Sequence, residues 1–292
     1  MGLLADIAAA IGQATGRDFA PATREEVGGG CINRGLTLTG ADGRRFFVKL
    51  NHARHGPMFE AEAEGLAELA AAAAIRVPRP IVQGVSHDEA FLVLEWLDLG
   101  GKGSGSDLGR CLANLHRTTW HHFGWRRDNT IGGTPQPNPA TADWPTFYGE
   151  HRLGHQLRLA RRNGAPGRLV DGGERLVAGL AAFFTDHRPV PSLLHGDLWG
   201  GNYGYAEGQP VLFDPAVYYG DREADLAMTE LFGGFPPDFQ AAYREAWPLD
   251  AGYSVRKSLY NLYHVLNHFN LFGGGYAGQA RNMIDALLAE TR

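Results

Sequence analysis

Cysteine is nearly absent from the chain, with two in 292 residues, Cys31 and Cys111. Neither lies in a CxxC or another metal-ligand spacing, so neither a disulfide framework nor a zinc site is expected. A reducing compartment, the cytoplasm, is the expected location. Long apolar runs are also missing: no stretch of about 18 apolar residues occurs, so no membrane-spanning helix is expected. The opening segment MGLLADIAAAIGQATG has no basic region, and Asp6 interrupts its apolar run. It reads as a short amphipathic helix rather than a signal peptide, and Asp6 stands where myristoylation requires Ser or Thr. There is no excess of positive charge, with 27 Lys and Arg against 32 Asp and Glu and a net charge of −5. That balance argues against a nucleic-acid partner. No internal repeat is present, which excludes solenoids and propellers.

What remains is the composition of a folded protein. Hydrophobic residues make up 44% and charged residues 20%. The 40 glycines and 16 prolines are numerous, yet below the level of disordered chains. The length suits two domains, or one domain of two lobes. After the N-terminal helix comes a glycine-rich turn, Gly28-Gly29-Gly30-Cys31. A strand follows at 36–39, a turn at Asp42-Gly43, and a returning strand at 45–50. Residues 58–74 read as a helix stopped by Pro78 and Pro80, and 91–97 as an apolar strand. The Gly- and Ser-rich segment 98–106 reads as a mobile linker and the boundary between lobes. Beyond it helices are expected at 107–118, 146–163 and 172–187 and over the last 70 or so residues. A long irregular stretch lies at 126–143, and short strands at 192–194 and 210–213.

Four separated elements carry the chemistry. Gly28, Gly29 and Gly30 let the backbone approach a phosphate closely. Lys49 ends an apolar strand, where an ammonium can neutralise phosphate oxygens. It needs a carboxylate to hold it. At about 100° per residue, Phe59, Ala63, Leu66, Leu69, Ala70 and Ala73 share one arc of the helix at 58–74, and Glu62 falls inside that arc. A carboxylate on a buried face is costly unless paired, so Glu62 is assigned to Lys49, with Glu64 in reserve. The third element is HGDLWGGN at 195–202, in which Asn202 follows Asp197 by five residues. The fourth is Asp214, at the end of the apolar strand Val211-Leu212-Phe213. This is the spacing of a phosphotransferase catalytic loop, whose Asp accepts a hydroxyl proton and whose Asn binds Mg²⁺. Asp197 is thus the expected general base, and Asn202 and Asp214 the expected oxygen ligands of Mg²⁺. Trp199 follows the base directly and reads equally as a sugar-stacking platform or as core. His264 and His268 share a helical face that either lines the acceptor pocket or meets another helix.

The order of these elements resembles the protein-kinase-like fold of small-molecule kinases such as aminoglycoside phosphotransferases and choline kinases. More narrowly, the chain resembles the fructosamine-3-kinase, or ketosamine kinase, family. The tracts DNTIG at 128–132, HGDLW at 195–199 and GDREADLAM at 220–228 carry that likeness. The resemblance implies an α+β, bilobal fold. An N-terminal ATP-binding lobe, 1–98, would hold a small antiparallel sheet and a helix, and a mainly helical C-terminal lobe, 99–292, would hold the catalytic and substrate residues. It further implies ATP and Mg²⁺ as cofactors and phosphorylation of the 3-hydroxyl of ketosamines. These would be small molecules or glycated protein lysines, whose phosphorylation makes the adduct unstable. By analogy with hinge segments, Glu95 and Leu97 offer backbone groups to adenine. His195 and Asp225 brace the catalytic loop. Cys31 is a redox candidate whose oxidation would hinder ATP binding or link two chains. A kinase of another small alcohol and a non-catalytic nucleotide-binding protein are the alternatives; oligomeric state is left open.

Overall fold

A computed structural model describes residues 2–28 and 32–290. Contacts divide the chain into two units, one running to Gly103 and including Gly204–Asp214, the other comprising Ser104–Tyr203 and the chain from Pro215 onward. A linear reading with a single boundary does not show that 204–214 belongs with the first unit.

The first unit contains α1 (Leu3–Thr15), β1 (Pro21–Val27), β2 (Arg34–Gly40), β3 (Arg45–His52), α2 (Gly56–Ala71), β4 (Pro80–Ser86) and β5 (Glu89–Glu95). Its five strands form one antiparallel sheet in the order β1-β2-β3-β5-β4. Successive side chains on a strand point to opposite faces, and β3 uses this strictly. Phe46, Val48 and Leu50 join Leu38, Phe91 and Val93 beneath Ile7 and Ile11 of α1. Phe47 and Lys49 therefore face the other way. Both edge strands, β1 and β4, are absent from the sequence reading.

The helix expected at 58–74 ends at Ala71, because Ala73 turns left-handed at φ 52°. That turn lets Ile75 and Val77 enter the core. Ala70, still within α2, and Ala73, at the turn, lie exposed, outside the buried arc in which they were expected. The expected mobile linker is likewise built into the fold. Gly100 bridges to Tyr205, and a Cβ on Gly103 would lie 2.0 Å from the Tyr205 ring. These glycines serve close packing.

The second unit is mainly helical. It holds α3 (Gly105–His116), α4 (Trp144–Tyr148), α5 (Gly154–Arg162), α6 (Gly167–Ala178), α7 (Glu223–Leu231), α8 (Pro237–Ala246), α9 (Tyr253–Phe272) and α10 (Tyr276–Glu290). Ser104 caps α3, its hydroxyl accepting the Asp107 N–H at 3.1 Å. The helix expected at 146–163 starts at Trp144 and passes from α4 to α5 through a π-helical turn, Gly149–Leu153. The expected irregular stretch contains a hairpin, β6 (Asn129–Ile131) and β7 (Thr134–Gln136). The short strand β8 (Ser192–Leu194) pairs with β11 (Tyr218–Gly220). Between them in the chain come β9 (Tyr203–Ala206), which starts at the unit boundary, and β10 (Gln209–Leu212) of the first unit. No helix among the described residues is long and apolar enough to cross a membrane.

Candidate active site

In the first unit, β3 places Lys49 on the face opposite α1, and α2 brings Glu62 to it. The Lys49 ammonium donates to Glu62 Oε1 at 2.5 Å and to Asp214 Oδ1 at 2.5 Å. The side chains of Lys49 and Glu62 are 6% and 10% exposed, that of Asp214 46%. Burial pushes the Lys49 pKa down, but the charges and hydrogen bonds of Asp214 and Glu62 outweigh it and raise the ammonium pKa. Burial, opposed by Lys49 but helped by Asp214, pushes the Glu62 carboxyl up. Two carboxylates thus compete for one ammonium, and the more exposed of them is Asp214. Its backbone sits at φ 56° directly after β10 and Phe213. This left-handed conformation is tolerated by Asp better than by most residues, at about 1–2 kcal/mol.

Of the glycine turn, Gly28 is exposed, and among the described residues a Cβ there would meet no atom within 4 Å. Gly29, Gly30 and Cys31 lie outside the described residues. At the end of β5, the Glu95 N–H donates to the Arg79 carbonyl at 2.9 Å, so only the carbonyl side of Glu95 suits the expected adenine contact. Leu97 follows just beyond the strand, partly buried.

In the second unit, the buried strand β8 runs into His195-Gly196-Asp197. The carboxylate of Asp225, on α7, accepts the N–H groups of His195 at 2.7 Å and Gly196 at 2.9 Å. It also meets His116 Nε2 at 3.2 Å. Burial pushes Asp225 up, but the hydrogen bond and charge of His116, with His195 and the Gly196 N–H, hold its carboxyl below the usual range. Gly196 has φ 84°, and a Cβ there would lie 2.0 Å from the Ala216 carbonyl oxygen, so glycine is required. The Asp197 N–H donates to His195 Nδ1 at 3.3 Å, which places the neutral ring's proton on Nε2. The Asn202 amide donates to the Asp197 carbonyl at 2.8 Å and approaches Asp197 Oδ2 at 3.4 Å. These bonds close the loop and fix the orientation of the Asn202 amide.

Trp199 is 39% exposed and so is not a core residue. A Cβ on Gly201 would lie 2.2 Å from its ring. His264 is buried, with Nδ1 unpartnered, and burial pushes its pKa down to about 3. His268 is less buried, packs against Phe232, Phe272 and Tyr276, and donates from Nδ1 to the His264 carbonyl at 2.8 Å.

A supporting amide network escaped the sequence reading. Asn129 donates to the Val217 carbonyl at 2.8 Å, and Gln136 to the Ala216 carbonyl at 3.1 Å. Asn138 donates to Asn129 at 2.9 Å, and the buried Arg152 to Asn138 Oδ1 at 2.6 Å. The Ala216 N–H in turn donates to the His195 carbonyl at 2.8 Å. The DNTIG tract and its hairpin therefore fix the chain just after Asp214 and, through it, the His195 turn.

The second unit thus offers an aspartate on a braced turn with an amide bonded to it, and the first a lysine held by carboxylates; each is an element that phosphotransferases use. Asn202 and Asp214 each offer a hard oxygen donor of the kind suited to Mg²⁺. The family model "Fructosamine kinase" matches residues 3–290. The chain belongs to the fructosamine kinase family. As a member of it, the protein is a phosphotransferase, as its motifs led one to expect. It is 51% identical over 286 residues to the "Probable ketoamine kinase" of Synechocystis sp., covering 97% of this chain and 96% of that one. It is 44% identical over 267 residues to the chloroplastic protein-ribulosamine 3-kinase of Arabidopsis thaliana, covering 90% and 81% respectively. The crystal structure from Haemophilus somnus 129PT named "Putative fructosamine-3-kinase" superposes with a TM-score of 0.89 at 31% identity, covering 97% of this chain and 96% of that one. A type I macrolide 2'-phosphotransferase, at 16% identity and a TM-score of 0.59 over 96% of each chain, shares the fold. The fold of this fructosamine kinase family member is accordingly protein-kinase-like.

Proposed function

We propose that this family member transfers the γ-phosphoryl group of ATP to the 3-hydroxyl of ketosamines, the fructosyl or ribulosyl adducts of amines and lysine side chains, in the cytoplasm. The observation that carries the reading is the Asp197 turn, whose backbone is tied to Asp225 and whose Asn202 bonds back onto it. Lys49, held by Glu62, binds the α- and β-phosphate oxygens of ATP. Gly28, Gly29 and Gly30 are assigned to phosphate binding, where the lack of side chains lets a backbone approach phosphate oxygens closely. Glu95 through its carbonyl, and Leu97, receive adenine. The acceptor hydroxyl hydrogen-bonds to Asp197. As its oxygen bonds to the γ-phosphorus, the bond from phosphorus to the β,γ-bridging oxygen breaks, ADP leaves, and the hydroxyl proton passes to Asp197. Asn202 and Asp214 are the proposed magnesium ligands; the ion supplies charge neutralisation at the phosphate oxygens when bound. Trp199, His264 and His268 are assigned to the acceptor side, and His195 supports the turn. Most of the rate comes from positioning and electrostatics.

The test is a panel of ketosamines, aminoglycosides and choline with ATP and Mg²⁺, with the phosphorylated carbon located by NMR. Transfer to the ketosamine 3-hydroxyl is expected, and transfer confined to aminoglycosides or choline refutes the substrate assignment. Asp197→Ala should retain ATP binding and lose transfer by a factor of about 10²–10⁴, the range for removing a general base. A near-normal kcat removes Asp197 from that role.

A further inference from the structure

One titratable cluster of the second unit, buried except for the half-exposed Asp250, takes no part in that mechanism. His187 is 4% exposed, and both its ring nitrogens face carboxylates. Nε2 stands 2.7 Å from Asp221 Oδ2, and Nδ1 stands 2.6 Å from Asp250 Oδ2. Glu223 Oε1 lies 3.9 Å from Nε2. A neutral imidazole carries one N–H and one lone pair, so it would set a lone pair against one of the two carboxylates. Only the imidazolium donates to both.

The groups around the ring do not supply that charge otherwise. From α9, Arg256 donates to both oxygens of Glu223, at 2.7 and 2.9 Å, and so is already engaged. Tyr260 donates its hydroxyl to Asp221 Oδ2 at 2.5 Å, which is a neutral contact. The Phe184 ring packs against His187 with centroids 6.2 Å apart. Among the described residues, His187 is the only cation paired with Asp221 or Asp250.

Asp221 connects this cluster to the catalytic turn. Its other oxygen accepts the Glu223 N–H at 3.0 Å, at the start of α7. Two residues further on, α7 carries Asp225, which holds the N–H groups of His195 and Gly196 immediately before Asp197. We propose that His187, as an imidazolium clamped between Asp221 and Asp250, is a positioning residue for phosphoryl transfer: it fixes the start of α7 and through Asp225 the Asp197 turn, so that turnover falls as the ring loses its proton. The inference rests on the kinase reading above.

The direction of titration agrees. Burial would lower the ring's pKa, but the hydrogen bond and charge of Asp221, followed by Glu223 and Asp250, raise it above the ordinary 6.5. A raised folded value means that the clamp's stabilisation is complete below the unfolded pKa and is lost as pH rises through the folded one. His187, Asp221 and Glu223 also bring three potential ligand atoms within 4.8 Å of one another. A metal ion there would have to displace Arg256 from Glu223, so the proton is the favoured occupant.

The experiment compares pH–rate profiles of the full-length wild type and His187→Gln, alongside NMR titration of the His187 ring in the wild type. The NMR measurement does not depend on activity or on the variant's folding. The wild type should show an alkaline limb in kcat that follows the ring's titration above 6.5. His187→Gln should lose that limb and about tenfold in kcat at mildly acid pH, as expected for a small misplacement of the base, with KM for ATP little changed. A ring that titrates below its ordinary value, or an alkaline limb shared by both proteins, overturns the proposal. So does a rise in melting temperature on adding Zn²⁺ to the wild type but not to the variant. A wild type that transfers no phosphate at any pH fails the kinase reading instead.

Discussion

Replacing Glu62 by Gln takes one of two carboxylates from an ammonium whose side chain is 6% exposed. Removing one partner of a buried pair costs about 3–5 kcal/mol when the remaining charge is left uncompensated. Lys49 keeps Asp214 at 2.5 Å, but that carboxylate is 46% exposed and its attraction is screened. The expected loss is therefore smaller, about 2 kcal/mol, which lowers the melting temperature by about 4–8 °C in a chain of this size. Activity should fall further. Without Glu62, Lys49 is drawn wholly to Asp214, a proposed metal ligand, and both groups are mispositioned for ATP. A displacement of about 1 Å is worth about 100-fold in kcat/KM. Thermal unfolding and steady-state kinetics on Glu62→Gln, Lys49→Met and the double variant close a cycle. The coupling energy should be about 1–3 kcal/mol, because Lys49→Met removes the charge that Glu62 serves. A coupling under about 0.5 kcal/mol, or a Glu62→Gln protein with wild-type melting and kcat/KM, refutes the ion-pair argument.

Two further outcomes are expected. Gly103→Ala forces a Cβ to 2.0 Å from the Tyr205 ring and should cost about 1–3 kcal/mol in thermal or urea unfolding, whereas Gly28→Ala, with nothing within 4 Å, should leave the melting temperature unchanged. In Asp225→Asn the amide nitrogen faces a backbone N–H of the turn, so one buried donor loses its acceptor and unfolding should be eased by about 1–3 kcal/mol; the lowered pKa of Asp225 means that its wild-type contribution is complete above the unfolded value of 3.8 and is lost as pH falls through the folded one, a loss that the variant's acid-unfolding profile should lack.

How much of this was legible in the sequence depends on whether a residue's neighbours are local. The interior strands β2, β3 and β5 carry apolar residues because they are covered. The edge strands gave no such signal. All seven residues of β1, PATREEV, are exposed, and β4 opens on Pro80, whose missing N–H suits the first residue of an edge strand. β9 and β11, at four and three residues, are too short to show a period. The Lys49–Glu62 pair was legible because a carboxylate on an apolar helix face demands a partner. The amides of Asn129, Gln136 and Asn138 were not, because the same residues compose any solvated loop and only their distant acceptors, at Ala216 and Val217, distinguish them. The segment 98–106 does contain the boundary between the units, at Gly103 and Ser104, but its packing was hidden for the same reason. Its composition is that of a flexible linker, while the ring that requires glycine at 103, Tyr205, comes a hundred residues later.

The two acidic residues on which the mechanism depends are placed by one local device used twice. Asp197 follows the buried strand β8 through Gly196 at φ 84°, and Asp214 follows β10 and Phe213 with its own φ at 56°. In each case a short buried strand fixes the backbone and a left-handed turn then redirects the chain. At the first site a glycine bears the unusual conformation and leaves the next residue, the proposed base, free of it. At the second, the functional residue bears it. Glycine at 214 would relieve the strain but surrender the carboxylate that pairs with Lys49. The strain held there, up to about 1–2 kcal/mol, is on the proposed assignment a cost of function, offset by the ion pair and by β10, whose Pro210, Val211 and Leu212 are buried.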